Sequence, residues 1–443
     1  MDAERARRFA FAARPGATPL SIARAEGAWL YTEDGRAILD AAGGAIVANV
    51  GHGRREVAEA YAREVERVSY AVPPFATESR VRLVERLVSR WLPAGLTRAA
   101  FTSGGSEAVD TAIRIARQHH LAAGRPGRWK VIGRELSYHG TTLATLSVGG
   151  HTPRRAGFEP WLTPLPKAVA CYCWRCPLGK TYPSCRTACV DEVERAIVAA
   201  GPDTVAAVIA EPIGGATAGA LVPPDDYWPR LAELCRKHGV LLIADEVMTG
   251  FGRTGKKFAV DHWGVTPDIL VSGKGLTGGY APMAGIFASE AVVAPIAARE
   301  QLLMFFTYSA HPAACAAADR VLQILEREAL VARAAAMGEK LGKRLSRLLS
   351  HANVGDVRGR GLLWAIELVA DKATREPFPA RVGFTNRVVA AGLEHGLFAY
   401  GGGVDPARDV ITFGPPFTIS EHEIELIGER IELALEGALS RLH

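Results

Sequence analysis

"VLLIADEV", residues 240–247, places five apolar side chains in a row and then two carboxylates. A run of that kind is a strand covered on both faces, because a strand with one wet face would alternate. Four more segments read the same way: "AAFTS" (99–103), "WKVIGR" (129–134), "VAAVIAE" (205–211) and "DILVSG" (268–273). Helical patterns lie between them. In "SEAVDTAIRIARQHH" (106–120), Ala108, Ala112, Ile115 and Ala116 recur at helical spacing, and "YWPRLAELCRKHG" (227–239) closes on Lys237, His238 and Gly239 as a helix C-terminus does. Strands alternating with helices predict an α/β fold on a mainly parallel sheet.

From Asp319 the character changes. "DRVLQILEREALVARAAAMGEKLGKRLSRLLS" (319–350) reads as one long helical stretch, interrupted only at Gly338 and Gly342. It leads into "VGDVRGRGLLWAIELV" (354–369) and "RDVITFGPPFTIS" (408–420), read as strands, and a last helix from Glu421. The division expected is an N-terminal segment 1–60 packing with the small domain, a large domain 61–320, and a small C-terminal α/β domain 321–443.

The 443 residues, 48% hydrophobic and 22% charged, suffice for one large core and a smaller one. The net charge of +5 comes without a long Lys/Arg run, so no nucleic-acid surface is expected. No stretch of about 18 apolar residues argues for a membrane span, and the first twenty residues hold no apolar run of signal-peptide length. A soluble cytoplasmic protein is the expectation.

Three strands end in a residue that a buried strand should not want: Glu211, Asp245 and Lys274. Open α/β sheets bind ligands beyond the carboxyl ends of their strands, so the three can converge on one site. Taken singly, each is equally well the first wet residue of a loop. A desolvated lysine attacks carbonyls, and a neighbouring acid can hold a protonated ring nitrogen. Pyridoxal phosphate needs both, together with a phosphate cradle. "TSGGSEAVD" (102–110) offers one, a Gly-Gly-Ser turn opening a helix whose first N–H groups favour an anion. "ELSYHGTT" (135–142) adds Tyr138 and His139, where a ring could stack on a flat cofactor. Val247, two residues past Asp245, shares its side of the strand and could pack on the same ring.

These pieces, in this order, resemble the class III (omega) aminotransferases, fold type I enzymes dependent on pyridoxal 5'-phosphate. "LDAAGGAIVANVGHGRREV" (39–57), "SGGSEAVDTAIRIAR" (103–117), "YHGTT" (138–142), "IAEPIGG" (209–215), "LLIADEVMTGFGRTGKKFA" (241–259), "PDILVSGKGLTGGYAPMA" (267–284), "FTYSAHPAACAAA" (306–318) and "GRGLLWAIEL" (359–368) carry the likeness across most of the chain. The resemblance implies a large domain with a seven-stranded, mainly parallel sheet and a small C-terminal domain. Lys274 would be the Schiff-base lysine and then the base that moves the proton, with pyridoxamine phosphate as the form between half-reactions. Asp245 would pair with the pyridinium nitrogen. Tyr138 and Val247 would sandwich the ring, with His139 beside it, and Glu211 would be an ordering residue near the substrate or the ring hydroxyl. Gly105 and Ser106 would bind the phosphate from one subunit and Thr307 from the other, which implies a homodimer with shared sites, possibly a tetramer.

Two departures bear on substrate. Gly104 stands where the family often has Ser, and Thr412 stands where members acting on alpha-carboxylates tend to place Arg before Pro-Pro. A carboxylate in an apolar pocket wants a bidentate Arg. Its absence suggests an amine or omega-amino donor, with a keto acid such as pyruvate as acceptor, held by another Arg. Arg408, on the Gly-rich loop "YGGGVDPARD" (400–409), is the candidate. Ala45, Ile46, Tyr70 and Phe306 are the candidates for the substrate pocket. An aminomutase or amino-acid epimerase of the same fold is the alternative, and a pyridoxal-binding protein without activity is a weaker one. "GFGRTGKK" (250–257) nearly spells a phosphate-binding P-loop, but Lys257 replaces the Ser or Thr that would hold magnesium, and no helix pattern follows.

Five of the seven cysteines fall between Cys171 and Cys189, spaced C-x-C-x2-C-x8-C-x3-C. They lie between the ring-stacking turn and the Glu211 strand, outside the proton-transfer machinery. Structural zinc or another metal, disulfides, and reduced packing thiols all remain open for Cys171, Cys173, Cys176, Cys185 and Cys189.

Overall fold

The computed structural model describes residues 20–300 and 305–442. Near the N-terminus, β1 (Ile22–Glu26), β2 (Trp29–Thr32) and β3 (Ala37–Asp40) form an antiparallel meander. The central sheet follows, made by β4 (Leu96–Thr102), β5 (Lys130–Arg134), β6 (Lys167–Ala168), β7 (Val205–Ala210), β8 (Leu241–Glu246), β9 (Ile269–Ser272) and β10 (Ala284–Ser289). The chain then builds β11 (Val354–Arg360), β12 (Leu363–Leu368), β13 (Leu397–Phe398), β14 (Tyr400–Gly402) and β15 (Val410–Phe413).

The seven central strands run in the order β4-β10-β9-β8-β7-β5-β6. Only β10 runs against the rest, pairing antiparallel with both β4 and β9. All side chains of β7 and β8 are buried, as the unbroken apolar runs require of strands with helices on both faces. The expected α/β fold, with a seven-stranded mainly parallel sheet and a smaller C-terminal α/β unit, is the one found. In the C-terminal sheet the order is β11-β12-β15-β14, while β13 leaves it and pairs parallel with β3 of the N-terminal meander.

One element differs from its reading. The stretch 319–350 is not one helix: a helix Pro312–Arg327 ends, Ala329 turns through a left-handed φ of 49°, and a second helix Leu330–Ser346 begins. Gly338 and Gly342 interrupt neither. A Cβ on Gly338 would sit 2.0 Å from the Gly361 carbonyl oxygen and one on Gly342 2.2 Å from the Trp364 ring, so both let the helix lie against the β11–β12 turn. The near P-loop "GFGRTGKK" runs into a single short turn, Ala259–His262, not into the long helix that a triphosphate site needs.

Candidate active site

The carboxyl ends of β4, β5, β7, β8 and β9 share one edge of the sheet, and residues just past them line a cavity of about 320 Å³. Glu211, Asp245 and Lys274 all face it, so the three strand-end charges do meet. Asp245 pairs in register with Val271 of β9, three residues before Lys274, which sets acid and amine on neighbouring strands.

Asp245 is 5% exposed, and its two oxygens are occupied in different ways. Oδ2 lies 2.7 Å from His139 Nδ1, and Oδ1 accepts the Val247 N–H at 3.1 Å. His139 is itself buried, and its Nε2 has no protein partner. The imidazole therefore fixes the carboxylate against rotation without covering the side that faces the cavity.

Lys274 is half-buried and sits at a φ of 38°, a conformation costing an L-residue about 1–3 kcal/mol. Its Nζ donates to the Ala45 carbonyl at 2.8 Å. Burial pulls the ammonium down to about 8, against the nearby Asp245 charge, which raises it. At neutral pH such an amine is within reach of its neutral, nucleophilic form.

Glu211 is pushed up by burial and accepts two backbone N–H groups, from Tyr138 at 3.2 Å and Gly215 at 3.1 Å. It thus ties the turn after β5 to the loop after β7. Arg134 reinforces the tie from below, donating to the Glu211 carbonyl at 2.7 Å.

Across the cavity, the helix Gly105–Ala122 begins at Gly104 with no side-chain cap, so its first N–H groups face the space between Ser103 and Ser106. The backbone is crowded there by design of the sequence. A Cβ on Gly105 would come within 2.8 Å of Val247 Cγ1, and one on Gly140 within 2.5 Å of Ser106 Oγ. Ser106 Oγ accepts the Thr141 N–H at 3.1 Å. Gly105, Ser106, Tyr138, His139, Val247, Asp245, Glu211 and Lys274 all line one space. An anion cradle, a fixed buried carboxylate and a depressed lysine around a flat slot are what pyridoxal phosphate requires, and these residues fit it.

Other candidates stand elsewhere. Arg408 does not line the cavity: Nε lies 2.6 Å from Asp405 Oδ1, and Nη1 donates to the Phe378 carbonyl at 3.5 Å. Ile46 is 2% exposed and packs into the core, while its neighbours Ala45, through its carbonyl, and Val47, on the wall, meet the site. Tyr70 is on the surface, where its hydroxyl donates to the Thr307 carbonyl at 3.0 Å, and the Thr307 side chain is exposed. Phe306 is half-buried beside it. Thr412 is buried in β15.

Two contributors went unread in the sequence. Asn49, 1% exposed, donates to the Gly275 carbonyl at 2.9 Å and so fixes the loop that carries Lys274. Arg154 lies with its guanidinium carbon 4.7 Å from the centre of the Tyr138 ring. Nothing in "HTPRRAG" marks that arginine, since only the fold brings it over Tyr138.

The model of the class-III aminotransferase family matches residues 10–435. An uncharacterized aminotransferase of Schizosaccharomyces pombe is 38% identical over 100% of this chain and 98% of its own. A putrescine–pyruvate aminotransferase of Pseudomonas aeruginosa is 36% identical over 91% of this chain and 88% of its own. Among solved structures, a thermostable (S)-enantioselective omega-transaminase from Thermomicrobium roseum superposes with a TM-score of 0.93 at 38% identity, covering 99% of this chain and 98% of that one. A site built for pyridoxal phosphate, on this fold and with these relatives, means that the chain belongs to the class III aminotransferases, which move amino groups by means of pyridoxal 5'-phosphate.

Proposed function

We propose that this aminotransferase takes its amino group from an amine or omega-amino compound and delivers it to a keto acid such as pyruvate, with Lys274 and Asp245 as its catalytic residues. The observation that carries the residue assignment is the depressed amine of Lys274 facing the His139-anchored carboxylate of Asp245 across one cavity. When bound, the cofactor supplies a cationic ring that draws off the electron pair left at the substrate carbon as its proton departs. Lys274 Nζ would hold the cofactor covalently and, as a free amine, would move that proton between the substrate carbon and the cofactor carbon. Asp245 would keep the ring nitrogen protonated by a charge-assisted hydrogen bond, and His139 keeps Asp245 in place. Tyr138 and Val247 would pack against the ring, and Glu211 holds the Tyr138 turn. The N–H groups at Gly105 and Ser106, with Thr307 of a second copy, would hold the phosphate.

The donor class rests on what the cavity lacks. Among the described residues that line it there is no arginine, and Thr412 occupies the position before Pro-Pro. A donor without an alpha-carboxylate enters such a wall without leaving a charge unpaired. The acceptor's carboxylate still needs a guanidinium. Arg154, already beside the Tyr138 ring, is better placed than Arg408, which must first leave Asp405. The aminomutase and epimerase alternative would share the first half of the chemistry, but the relatives that carry a named activity, such as the putrescine–pyruvate enzyme, support transamination.

The test is to follow each half-reaction alone. The protein loaded with pyridoxal phosphate should be yellow, lose that colour with an amine, and regain it with a keto acid. Lys274→Ala should neither hold the cofactor covalently nor cycle. A protein that racemises or rearranges one substrate without a second would be an epimerase or aminomutase, and one that takes up no pyridoxal phosphate would end the reading.

A further inference from the structure

Five thiols converge behind this site without any part in it. Cys171, Cys173, Cys176, Cys185 and Cys189, spread over 19 residues of sequence, line one cavity of about 20 Å³, room for a single water-sized particle. The Cys171 thiol is in hydrogen-bonding contact with both Cys173 and Cys189. No histidine or carboxylate shares the wall. We propose that these cysteines form an all-thiolate site for a thiophilic metal centre, which fixes the loop between β6 and the helix Ala188–Ala200.

All seven cysteines are thiols in this structure, and each could in principle be a small packing residue. Cys235 and Cys315 fit that description, being buried among apolar side chains. Cys171 is buried in the same core, but its four companions do not fit: Cys173 is exposed and Cys176, Cys185 and Cys189 are half-buried, so packing gives no reason to gather them around it. Their donor chemistry is selective. A set of sulfur ligands without nitrogen or oxygen suits zinc and disfavours magnesium or calcium, and a space of this size admits a single ion, not an iron–sulfur cluster.

The charge nearby is compatible with such a site. A divalent ion with four thiolates carries two net negative charges. Arg134, 7% exposed, lies close enough to Cys171 and Cys189 to interact with both, and it is also near the Glu211 carboxylate, although its hydrogen bonds go to the Tyr227 hydroxyl and the Glu211 carbonyl. Its Nε has no partner. A buried guanidinium so placed is suited to an anionic centre beside it. Among the described residues no three His, Cys, Asp or Glu side chains are already closed into an ion cage, so four of the sulfurs must turn inward about their Cα–Cβ bonds. Binding then replaces four S–H bonds by four S–metal bonds and releases the protons to water, with no change of oxidation state.

The residues between the ligands show what such a staple would hold. Tyr172 donates its hydroxyl hydrogen bond to Glu367 on β12, Arg175 Nε lies 2.6 Å from Glu367 Oε1, and the Trp174 ring covers Gly355 on β11. The thiol loop thus clamps the C-terminal sheet to the sheet that carries the active site.

The full chain, purified without air or chelator, is to be assayed for zinc, iron and acid-labile sulfide. About one zinc per chain supports the site, whereas iron with matching sulfide and a visible absorption that persists after the cofactor is removed would mean a larger centre and overturn the single-ion site. The double variant C173S/C176S should lose the metal, while C235S/C315S should keep it. If C173S/C176S does not fold, thiol counting on the native protein decides: stripping the metal should make four further thiols reactive. The proposal is also overturned if the chain holds no zinc, takes up none that is added, and exposes Cys173 and its neighbours to thiol reagent from the start. Metal retained by C173S/C176S overturns it equally.

Discussion

Lys274 concentrates the chemistry, and its environment sets a pH signature. An ordinary lysine loses its proton near 10.4, whereas burial brings this one to about 8. The neutral amine attacks, so its share, roughly a tenth at pH 7, grows as pH rises and saturates above the depressed value. Covalent uptake of pyridoxal phosphate by the cofactor-free protein should therefore accelerate nearly tenfold from pH 6 to 7 and level off past about 8. Stopped-flow absorbance across that range measures it, and a rate still climbing at pH 10 would show Lys274 to be unperturbed. The acceptor carboxylate poses the other question at this scale. A charged hydrogen bond is worth about 1.5–3 kcal/mol, so Arg154→Ala should raise the KM for pyruvate by roughly ten- to a hundredfold. Arg408→Ala should leave it unchanged; the opposite result would put the carboxylate on Arg408.

At the scale of elements, the break at Ala329 makes a stability prediction. A left-handed backbone costs an L-residue about 1–2 kcal/mol, and the Ala329 side chain is exposed and contributes no packing. Ala329→Gly relieves that cost but adds freedom to the unfolded chain, for a net gain of roughly 0.5–1 kcal/mol. A higher urea midpoint at unchanged slope is the expected result, and a lower one would mean that the turn is not strained. This break also marks where sequence patterning stops being informative. Strands β4, β5, β7, β8 and β9 were legible because burial on both faces leaves apolar runs, and a charge directly after such a run marks the edge where ligands bind. "LEREALV" (325–331) contains no Gly or Pro, so its turn is invisible to local rules. The two glycines that look like breakers, Gly338 and Gly342, are there for the close approach of Gly361 and Trp364. Asn49 and Arg154 were hidden for the same reason, since their contacts exist only after distant loops meet.

For the whole molecule, the open question is the partner. Members of the family are typically dimers, and the surface around Thr307 has the character of a covered one. Phe75 is 67% exposed and Tyr308 63%, with Tyr70 bridging them: it lines a groove with Phe75, and its ring centre is 6.5 Å from that of Tyr308. Large aromatic side chains left this bare in one neighbourhood are costly in water and are what interface centres use. The same patch carries Thr307, held through its carbonyl by the Tyr70 hydroxyl. If Thr307 reaches the phosphate of a second copy, association and cofactor retention must fail together. Placing a charge at the centre, as Tyr308→Asp or Phe75→Asp, should shift the protein to monomers in sedimentation velocity and let pyridoxal phosphate leak away on dialysis. Trp129→Asp, a comparable change at another exposed aromatic, should do neither. Monomers that still hold their cofactor tightly would separate the two, and would place the whole phosphate site within one chain.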